Sequence, residues 1–298
     1  VHSACDLDGN DIVLKVQYPG VADTVDSDVD NIATLLRLSG LLPAKMDISL
    51  LLADAKSQLR DEADYLKEAQ FLRSFGDMLA DDDRFVVPRL IPDLTRRNVL
   101  AMTYVEGSPI EDIVHQPQEE RDRVMGALID LMLMELFQLR LVQTDPNFAN
   151  YQFNEATGEI ILLDFGATRR FKAAFVNNYR RLAKAAQAGD TAKVADAAQR
   201  LGYAIGEADS EYRELVLEMF LLALEPLSQD SLYDFGRSTM PTRMAELGRR
   251  ITDFRDFWQA PPTDAVYFHR KLGGMFMLAS RVGARVNVHA LMQERLQR

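Results

Sequence analysis

The stretch that decides the fold runs QTDPNFAN at residues 143–150 and continues to IILLDFG at residues 160–166. The first segment has the turn-forming residues of a loop, and the second is an apolar run of strand length that ends in an acid. Asp145 and Asn150 are five residues apart, and Asp164 follows the apolar run. Carboxylate and amide oxygens are ligands that Mg²⁺ accepts, together with phosphate oxygens of a substrate. The pattern therefore predicts a loop and a buried strand that bring Asp145, Asn150 and Asp164 into one site.

Protein kinases use the same layout of side chains. Their catalytic-loop Asp is followed five residues later by an Asn that holds metal, and a second metal-binding Asp opens a D-F-G tripeptide. Asp145, Asn150 and Asp164 occupy the corresponding positions. The alternative is that Asp145 and Asn150 only form a turn around Pro146 and that Asp164 caps a helix.

Composition narrows the class of protein. A chain of 298 residues is long enough for one large or two small domains with a sizeable core. Its 47% hydrophobic and 27% charged residues are typical of soluble globular proteins. The net charge of −11 argues against a general nucleic-acid binder, because phosphate backbones need basic surfaces. No uncharged apolar run has the length that a membrane-spanning helix needs.

The cysteine and the first residues bear on the compartment and on the extent of the chain. Cys5 is the single cysteine, so no internal disulfide can form and a reducing compartment is expected. The reducing compartment that we expect is a bacterial cytoplasm, with or without association with the inner membrane, and the mitochondrial matrix is the alternative. The chain begins at Val1 and enters directly into a predicted hairpin, so we expect it to be part of a longer protein.

A lysine and a glutamate upstream complete the candidate site. Lys15 lies in the β-rich run IVLKVQ at residues 12–17, directly after the turn signal DGN at residues 8–10. Residues 47–79 are predicted to form a long, interrupted helix on which Glu68 shares a stripe with two Phe rings. A buried acid needs a partner, so we expect Glu68 to pair with Lys15 and to orient it. The alternatives are a solvated strand lysine and a solvated acidic helix face.

The rest of the chain predicts two further strands and then mostly helices. The runs at residues 84–88 and 98–105 have strand composition, and backbone groups around Met102 and Val105 are expected to meet an adenine edge at a hinge. The basic cluster HRK at residues 269–271 is interpreted as a solvated helix end, or else as a contact for an anionic ligand or membrane head groups. Helices are predicted at residues 23–41, 117–140, 177–188, 191–201, 210–224, 243–251 and 268–296.

With these residues assembled, the chain resembles the UbiB/ADCK family of atypical protein-kinase-like proteins over essentially its whole length. It is most similar to the mitochondrial-type branch that is linked to ubiquinone (coenzyme Q) biosynthesis. The motifs that carry the resemblance are KVQYPGV at residues 15–21, EADYLKEA at 62–69, QTDPN at 143–147, LDFGATR at 163–169 and HRKLGG at 269–274.

The resemblance implies an α+β, two-lobed protein-kinase-like fold. Residues 1–106 would form a small, β-containing and N-terminally truncated N-lobe, and residues 107–298 a large, mostly helical C-lobe with the catalytic and metal-binding loops. A family-specific K-x-G-Q segment, which the E-x-D residues Glu62 and Asp64 would face, and an Ala-rich loop over the phosphates would both precede Val1. We therefore expect this chain alone to bind nucleotide more weakly than the intact protein.

The resemblance also implies a role for each residue of the candidate site. Lys15 would contact the ATP phosphates, and Glu68 would orient Lys15. Asp145 would hold the catalytic-loop position. Asn150 and Asp164 would bind Mg²⁺ and, through it, the nucleotide.

The activity implied is that of an atypical kinase, in which Mg-ATP supports ATPase or small-molecule kinase chemistry in ubiquinone biosynthesis. Candidate partners beyond ATP are a lipid or ubiquinone precursor, ubiquinone-biosynthesis proteins and a peripheral membrane contact, and nucleic acid is not expected. The first alternative is a nucleotide-gated regulator that binds a lipid or a partner, with little turnover, as in a pseudokinase. A phosphotransferase of the aminoglycoside or choline kinase kind is a weaker alternative, because the motifs at residues 16–21 and 62–65 argue against it.

Overall fold

The structure is a computed structural model, and it describes residues 1–39, 48–203, 210–251, 254 and 261–297. The chain forms two compact units. The mixed unit comprises Val1–Leu35, Ser49–His115 and Gln143–Thr168, and the helical unit comprises Leu36–Ile48, Gln116–Val142 and Arg169–Arg298. By its contacts, the segment with Asp145, Asn150 and Asp164 therefore belongs to the mixed unit. This division differs from the predicted lobes, whose boundary at residue 106 stays a prediction.

The first half of the chain contains both helices and strands, and helices dominate the second half. The strands are β1 (His2–Cys5), β2 (Asp11–Val16), β3 (Phe85–Val86), β4 (Val99–Thr103), β5 (Ser108–Pro109), β6 (Leu141–Gln143), β7 (Tyr151–Phe153), β8 (Ile160–Leu162), β9 (Thr168–Arg170), β10 (Tyr233–Asp234) and β11 (Arg285–Val286). The helices are α1 (Val21–Leu38), α2 (Ser49–Glu62), α3 (Tyr65–Met78), α4 (Gln118–Met134), α5 (Ala173–Gln187), α6 (Thr191–Arg200), α7 (Ser210–Ala223), α8 (Met240–Ile251), α9 (Thr263–Val282) and α10 (Val288–Gln297). Over the described residues, none of these helices has the length and apolar character that crossing a membrane requires.

A three-stranded antiparallel sheet in the order β1-β2-β4 carries Lys15 on its middle strand. The turn predicted at residues 8–10 joins β1 to β2, and the Asp6 carboxylate accepts hydrogen bonds from the backbone N–H groups of Asp8 and Asn10. Lys15 lies opposite Leu100, which is buried. Because the middle strand is paired on both sides, the sheet fixes the height and direction of the lysine side chain.

A second sheet in the mixed unit, in the order β3-β8-β7-β5, supplies the strand before Asp164. All three residues of β8 are buried, as a continuous apolar run predicts for a strand covered on both faces. This strand pairs in parallel with β3 and in antiparallel fashion with β7. The prediction of a buried strand that delivers Asp164 at its end is confirmed.

The helical stretch predicted at residues 47–79 is two helices, α2 and α3, and the break precedes α3 at Asp64. The backbone of Asp64 is extended, with φ of −112°, and its carboxylate accepts a hydrogen bond from the N–H of Leu66 at 3.1 Å. Asp64 is thus the N-cap of α3. The helix predicted before it, α1, ends at Leu38, and the break predicted at Pro43 lies outside the described residues.

The single helix predicted at residues 268–296 is wrong, because the chain turns after α9. Gly283 caps α9 in the left-handed conformation, with φ of 63°, which side chains other than glycine rarely adopt. The short strand β11 follows and pairs with β10, and α10 begins only at Val288. Both helices have apolar residues at helical spacing, so the spacing alone does not show the turn between them.

The basic cluster at residues 269–271 lies inside α9, not at a helix end. Lys271 is 2% exposed, and its Nζ lies 3.9 Å from a carboxylate oxygen of Glu135. The Tyr179 hydroxyl lies 2.6 Å from Nε2 of His269, and Arg270 is exposed. Consecutive residues of a helix point in different directions, so three basic residues in a row do not form one surface. The interpretation as a solvated helix end is wrong.

A buried ion pair joins α4 to α10 within the helical unit. The Arg295 guanidinium donates to the two carboxylate oxygens of Asp130 at 2.6 and 2.5 Å, and to the side-chain oxygen of Gln138 at 3.0 Å. Both charged side chains are 7% exposed. The planar guanidinium satisfies the carboxylate in a bidentate way, which allows an acid inside the buried, apolar second half of α4.

We predict that Arg295→Met lowers the free energy of unfolding by about 3–5 kcal/mol, because the Asp130 charge loses its guanidinium partner while it stays buried. The matched control is Arg200→Met, which removes an exposed pair with Asp196 whose side chains are 53% and 58% exposed. That control should cost about 0–1 kcal/mol. Urea unfolding of the three proteins measures both effects. Equal losses in the two variants would contradict the prediction.

Candidate functional site

The centre of the candidate site is the amino group of Lys15. Its Nζ donates to the Glu68 carboxylate oxygens at 2.9 and 3.0 Å and to Oδ2 of Asp164 at 2.8 Å. The three side chains come from β2, from α3 and from the residue that follows Leu163 after β8. The structure thus brings together three of the residues that the sequence analysis singled out, and their roles in chemistry stay predictions.

The cluster of Lys15, Glu68 and Asp164 carries an excess of negative charge. Glu68 is 1% exposed, whereas the side chains of Lys15 and Asp164 are 22% and 34% exposed. Burial raises the pKa of Glu68 to about 7, and the Asp164 carboxylate adds to this effect while Lys15 opposes it. Burial alone would lower the pKa of Lys15, but the two carboxylates hold this pKa above its ordinary value. Lys15 is therefore charged at every physiological pH, and Glu68 titrates near neutrality.

Aromatic packing holds α3 against the D-F-G segment. The rings of Phe75 and Phe165, both almost fully buried, have centroids 4.7 Å apart. The backbone N–H of Phe165 also donates to the Glu68 carboxylate. On the other side, Lys15 Nζ lies 5.3 Å from the ring centroid of Tyr65, within the range of a cation–π contact. Packing of the aromatic rings thus helps to fix the positions of Glu68 and Asp164.

The glycine of D-F-G lies where a side chain would crowd two carboxylates. The backbone N–H of Gly166 donates to Oδ1 of Asp164 at 2.9 Å. A Cβ on Gly166 would lie 3.3 Å from an oxygen of Asp164 and 3.3 Å from an oxygen of Glu68. The backbone therefore approaches both carboxylates closely and orients that of Asp164.

The loop with Asp145 is tied to the D-F-G segment by hydrogen bonds. The side-chain amide of Asn150 donates to Oδ2 of Asp145 at 2.8 Å. The hydroxyl and the backbone N–H of Thr144 both donate to the carbonyl of Ala167, at 2.8 and 3.0 Å. These bonds fix the loop relative to the residues that follow Gly166.

Strand pairing brings Asn150 to the same end of the sheet as Asp164. Tyr151 of β7 is opposite Leu162 of β8, and the N–H of Leu163 donates to the carbonyl of Asn150 at 3.0 Å. Asn150 precedes β7 and Asp164 follows β8, and the two strands are antiparallel, so both residues leave the ladder side by side. The alternative in which Asp145 and Asn150 are mere turn formers does not account for this convergence.

The oxygen ligands available at this end of the sheet are of the kind that Mg²⁺ binds. The Asn150 amide nitrogen donates to Asp145, which leaves its oxygen as the end that can bind a cation. Each oxygen of Asp164 accepts one hydrogen bond, and a carboxylate can accept about four. In the part of the chain that the structure describes, no three His, Cys, Asp or Glu side chains group as a metal site. A site with so few ligands suits Mg²⁺, which binds one or two carboxylates and takes further oxygens from phosphates.

The two residues predicted to meet adenine lie at the end of β4 and beyond it. Met102 is buried and is paired with Val13 of β2, so its backbone takes part in the sheet. Val105 follows the strand, where the chain has left the ladder. A backbone contact of the hinge type therefore suits Val105 better than Met102, and adenine contact by either residue stays a prediction.

The E-x-D residues lie at the junction of α2 and α3. Glu62 is the last residue of α2 and accepts a hydrogen bond from the side chain of Gln58 at 3.2 Å. Asp64, the N-cap of α3, also forms an ion pair with Arg97 at 3.4 Å. Between them, the carbonyl of Ala63 accepts a hydrogen bond from the side chain of Gln17 at 3.0 Å. The KVQ and E-x-D motifs are thus joined, and what the two acids face stays a prediction.

Sequence reasoning missed three residues that position the site. Gln17 anchors the helix junction, Tyr65 lies under the Lys15 ammonium, and Thr144 ties the Asp145 loop to the residue after D-F-G. Each stands inside a motif of the resemblance, one or two positions from a charged residue that was predicted. That proximity was the available signal, but a neutral side chain shows its partner only in three dimensions.

Comparison with known sequences places the chain among atypical kinases. A family profile described as "ABC1 atypical kinase-like domain" matches residues 1–198. Atypical kinase coq-8, mitochondrial, of Caenorhabditis elegans is 34% identical over 99% of this chain and 39% of that protein. Atypical kinase COQ8B, mitochondrial, of Rattus norvegicus is 33% identical over 100% of this chain and 56% of that protein. Atypical kinase COQ8, mitochondrial, of Saccharomyces cerevisiae is 34% identical over 99% of this chain and 59% of that protein. The chain thus spans between 39% and 59% of the length of these relatives.

Comparison with solved structures concerns the fold alone. The structure of Rv3197 from Mycobacterium tuberculosis, solved in complex with erythromycin, superposes with a TM-score of 0.71 at 19% sequence identity. The superposition covers 98% of this chain and 73% of the other. Together with the mixed composition of helices and sheets, this likeness confirms the predicted α+β, kinase-like fold. The profile match and the identity to mitochondrial atypical kinases over almost the whole chain show that the chain belongs to the ABC1 atypical kinase-like family, which is the UbiB/ADCK family predicted from its motifs.

Proposed function

We propose that this chain binds Mg-ATP at the cluster of Lys15, Glu68 and Asp164 and uses it for ATPase or small-molecule kinase chemistry in support of ubiquinone biosynthesis. The observation that carries the proposal is the Lys15 ammonium between two carboxylates, 2.8–3.0 Å from each. Membership of the family supports the use of ATP. The word "mitochondrial" in the names of the relatives supports the matrix over a bacterial cytoplasm. A lipid or ubiquinone precursor and ubiquinone-biosynthesis proteins are the further partners proposed.

Lys15 is the residue that would meet the phosphates. Its ammonium is held from the buried side by Glu68, which packing and the Phe165 N–H keep in place. Its third contact is the more exposed Asp164, which phosphate oxygens can replace because they carry the same charge as a carboxylate. Lys15 would then neutralise phosphate charge from a fixed position, and such positioning is most of what phosphoryl transfer requires.

Asn150 and Asp164 are the residues that would hold Mg²⁺. When bound, Mg²⁺ screens the charge of the phosphate oxygens and fixes their geometry. Asp164 is already oriented by the N–H of Gly166, and Asn150 by its bond to Asp145. The excess negative charge of the cluster gives a divalent cation a favourable electrostatic setting.

Asp145 is the residue that would act on the nucleophile. Its carboxylate is partly exposed, and the Asn150 amide fixes one of its oxygens. An oriented, accessible carboxylate can position a water molecule or an acceptor hydroxyl and accept its proton.

We predict that Mg-ATP raises the thermal unfolding midpoint of this chain and that Asp164→Asn abolishes the magnesium-dependent part of the shift. Binding to the folded state stabilises it by mass action, and the variant removes the carboxylate that would bind the metal. The measurement is a melting curve with ATP in the presence of Mg²⁺ or of EDTA. Asp93→Asn is the matched control, because Asp93 lies in the same unit and is exposed. Asp93→Asn should leave the shift unchanged, and a magnesium-dependent shift that survives Asp164→Asn would refute the proposed site.

We predict that Asp145→Asn lowers ATP turnover by about 10²–10⁴-fold, the range that general acid–base groups contribute, while the Mg-ATP melting shift is retained. The physical reason is that the amide keeps the shape of the side chain and loses its capacity as a base. Turnover is measured as phosphate release at saturating Mg-ATP. Unchanged turnover together with retained binding would instead favour the nucleotide-gated regulator.

We predict that Glu68→Gln stabilises the fold at pH 8 but not at pH 5. Because the folded-state pKa of Glu68 is raised from 4.5 to about 7, its contribution to stability is fully present below about pH 4.5 and is lost as pH rises to 7. The variant does not titrate, so its advantage over the parent should grow across this window, by on the order of 1–3 kcal/mol. The measurement is the free energy of unfolding of both proteins at each pH.

The control for this pH dependence is Glu155→Gln, which changes an exposed acid in the turn after β7 of the same unit. Its stability relative to the parent should stay constant between pH 5 and 8. A constant difference for Glu68→Gln as well would show that Lys15 compensates the burial of Glu68 in full.

A further inference from the structure

A groove in the helical unit lies between four helices. Helix α5 packs against α6, α6 against α7, and α7 against α8. Residues of these helices and of the turns that follow α5 and α7 line a space of about 630 Å³. This volume is within the usual range of binding clefts. None of the residues of the candidate nucleotide site lines the groove, so the function proposed above does not account for it.

The floor of the groove, formed by the buried residues that line it, is apolar. Among the described residues, the floor consists of Ala185 and Ala186 of α5, Val194 of α6, Leu222 of α7 and Leu247 of α8. A floor without polar groups gives a small polar ligand nothing to bond to, whereas apolar side chains can pack on it. The alanines also let a further helix approach closely, because the distance between packed helices depends on the side chains at their contact.

The charged residues of the groove all lie on its rim. The rim has more acids than bases, and its charged members are Glu218, Glu225, Glu246, Arg243 and Arg250. The Arg243 guanidinium donates to the Glu225 carboxylate. Arg250 lies 3.9 Å from Glu218, and these two side chains are 53% and 59% exposed. So exposed a contact contributes little to stability, and a basic group of a partner can therefore replace Arg250 beside Glu218.

Helix α7 continues the acidic rim beyond the groove. Glu211, Glu214 and Glu218 recur every three or four residues, so they face the same side of the helix, and all three are exposed. Leu221 follows on this side, lines the groove and is 37% exposed. The net charge of −11 adds a long-range attraction for basic partners. The exposed acids beside an exposed leucine complement a surface that has apolar residues flanked by lysine or arginine.

We propose that this groove binds one amphipathic helix of a partner protein. The apolar side of that helix packs on the floor, and its lysine or arginine residues meet the glutamates of α7. An apolar floor between charged rims matches the two faces of an amphipathic helix, and charge complementarity selects a basic helix over an acidic one. The proposal concerns the helical unit alone and does not rest on nucleotide binding.

The probe for this site is a fluorescein-labelled peptide of about 15 residues, with leucine at helical spacing and lysine elsewhere. A matched peptide has glutamate in place of every lysine. Fluorescence anisotropy should show saturable binding of the lysine peptide, at least about tenfold tighter than that of the glutamate peptide, which the acidic rim repels. Circular dichroism should show a gain of helix on binding. No saturable binding, or binding without a gain of helix, would overturn the proposal.

Two charge reversals separate the groove from the general acidity of the chain. Glu218 lines the groove, whereas Glu155 is an exposed acid of the mixed unit that does not. Glu218→Lys and Glu155→Lys change the net charge equally. We expect Glu218→Lys to weaken the lysine peptide by about tenfold or more and Glu155→Lys to change its affinity by less than about twofold, because only the first alters the rim. Equal effects would show that the peptide responds to overall charge, and the site would be refuted.

Two exposed leucines test the apolar contact. Leu221 lines the groove, whereas Leu232 of the same unit is 65% exposed and does not. Both positions are exposed, and glutamine is close to leucine in helix propensity, so both glutamine variants should fold. We expect Leu221→Gln to weaken the lysine peptide by about fivefold or more, because it removes apolar area from the contact. Leu232→Gln should leave the affinity unchanged, and equal losses in the two variants would contradict the proposed contact.

A second copy of this chain is the other occupant that the experiment must separate from a partner helix. Sedimentation equilibrium without peptide measures self-association of the parent and of Leu221→Gln. The two should associate to the same extent, because the groove is expected to hold a helix of a different protein. A dimer of the parent that Leu221→Gln dissociates would identify the second copy as the occupant, and the proposal would fail.

Discussion

The structure of the candidate site depends on one constraint: a single ammonium group must satisfy two carboxylates, one of which is almost fully buried. Glu68 at 1% exposure cannot stay ionised in an apolar setting without a charged partner. Lys15 supplies that partner from the middle strand of a sheet, and Asp164 shares it at 2.8 Å. One positive charge does not neutralise two negative ones. The remaining negative charge can be neutralised by a proton at Glu68 or by a cation at Asp164.

The residues that hold this charged cluster in position are mostly apolar. Phe75 packs on Phe165, which sets the separation between α3 and the D-F-G segment, and hence between Glu68 and Asp164. Gly166 leaves room for both carboxylates to approach its backbone. A buried charged cluster needs rigid surroundings, because its electrostatic energy changes steeply with distance at low dielectric. The geometry of the cluster is therefore set by packing as much as by the charged residues themselves.

Much of this site could be predicted from the sequence, because its members stand at fixed spacings inside local motifs. Asp145, Asn150 and Asp164 follow from one loop and one strand, and a buried acid on an apolar stripe implied a partner for Lys15. Contacts between distant neutral side chains could not be predicted in this way. Nothing in the run KVQ shows that Gln17 bonds to Ala63, and nothing in the helical spacing of residues 268–296 shows the left-handed turn at Gly283. The first depends on a long-range partner that periodicity does not encode, whereas Gly283 is itself a local signal for a helix end that the apolar spacing on both sides of it obscured.

An apolar cavity of about 700 Å³ between the helices of the helical unit was beyond sequence reasoning for a related reason. Met219, Met275 and Met292 lie on three helices, at positions that the sequence does not distinguish from those of core residues. A residue that faces a tightly packed neighbour and one that faces an empty space have the same hydropathy. What separates them is the presence of an opposing side chain, which is a property of the assembled helices. Polar residues give one clue, because Nε2 of His269 lies 2.6 Å from the Tyr179 hydroxyl, a contact between two helices that hydropathy does not predict.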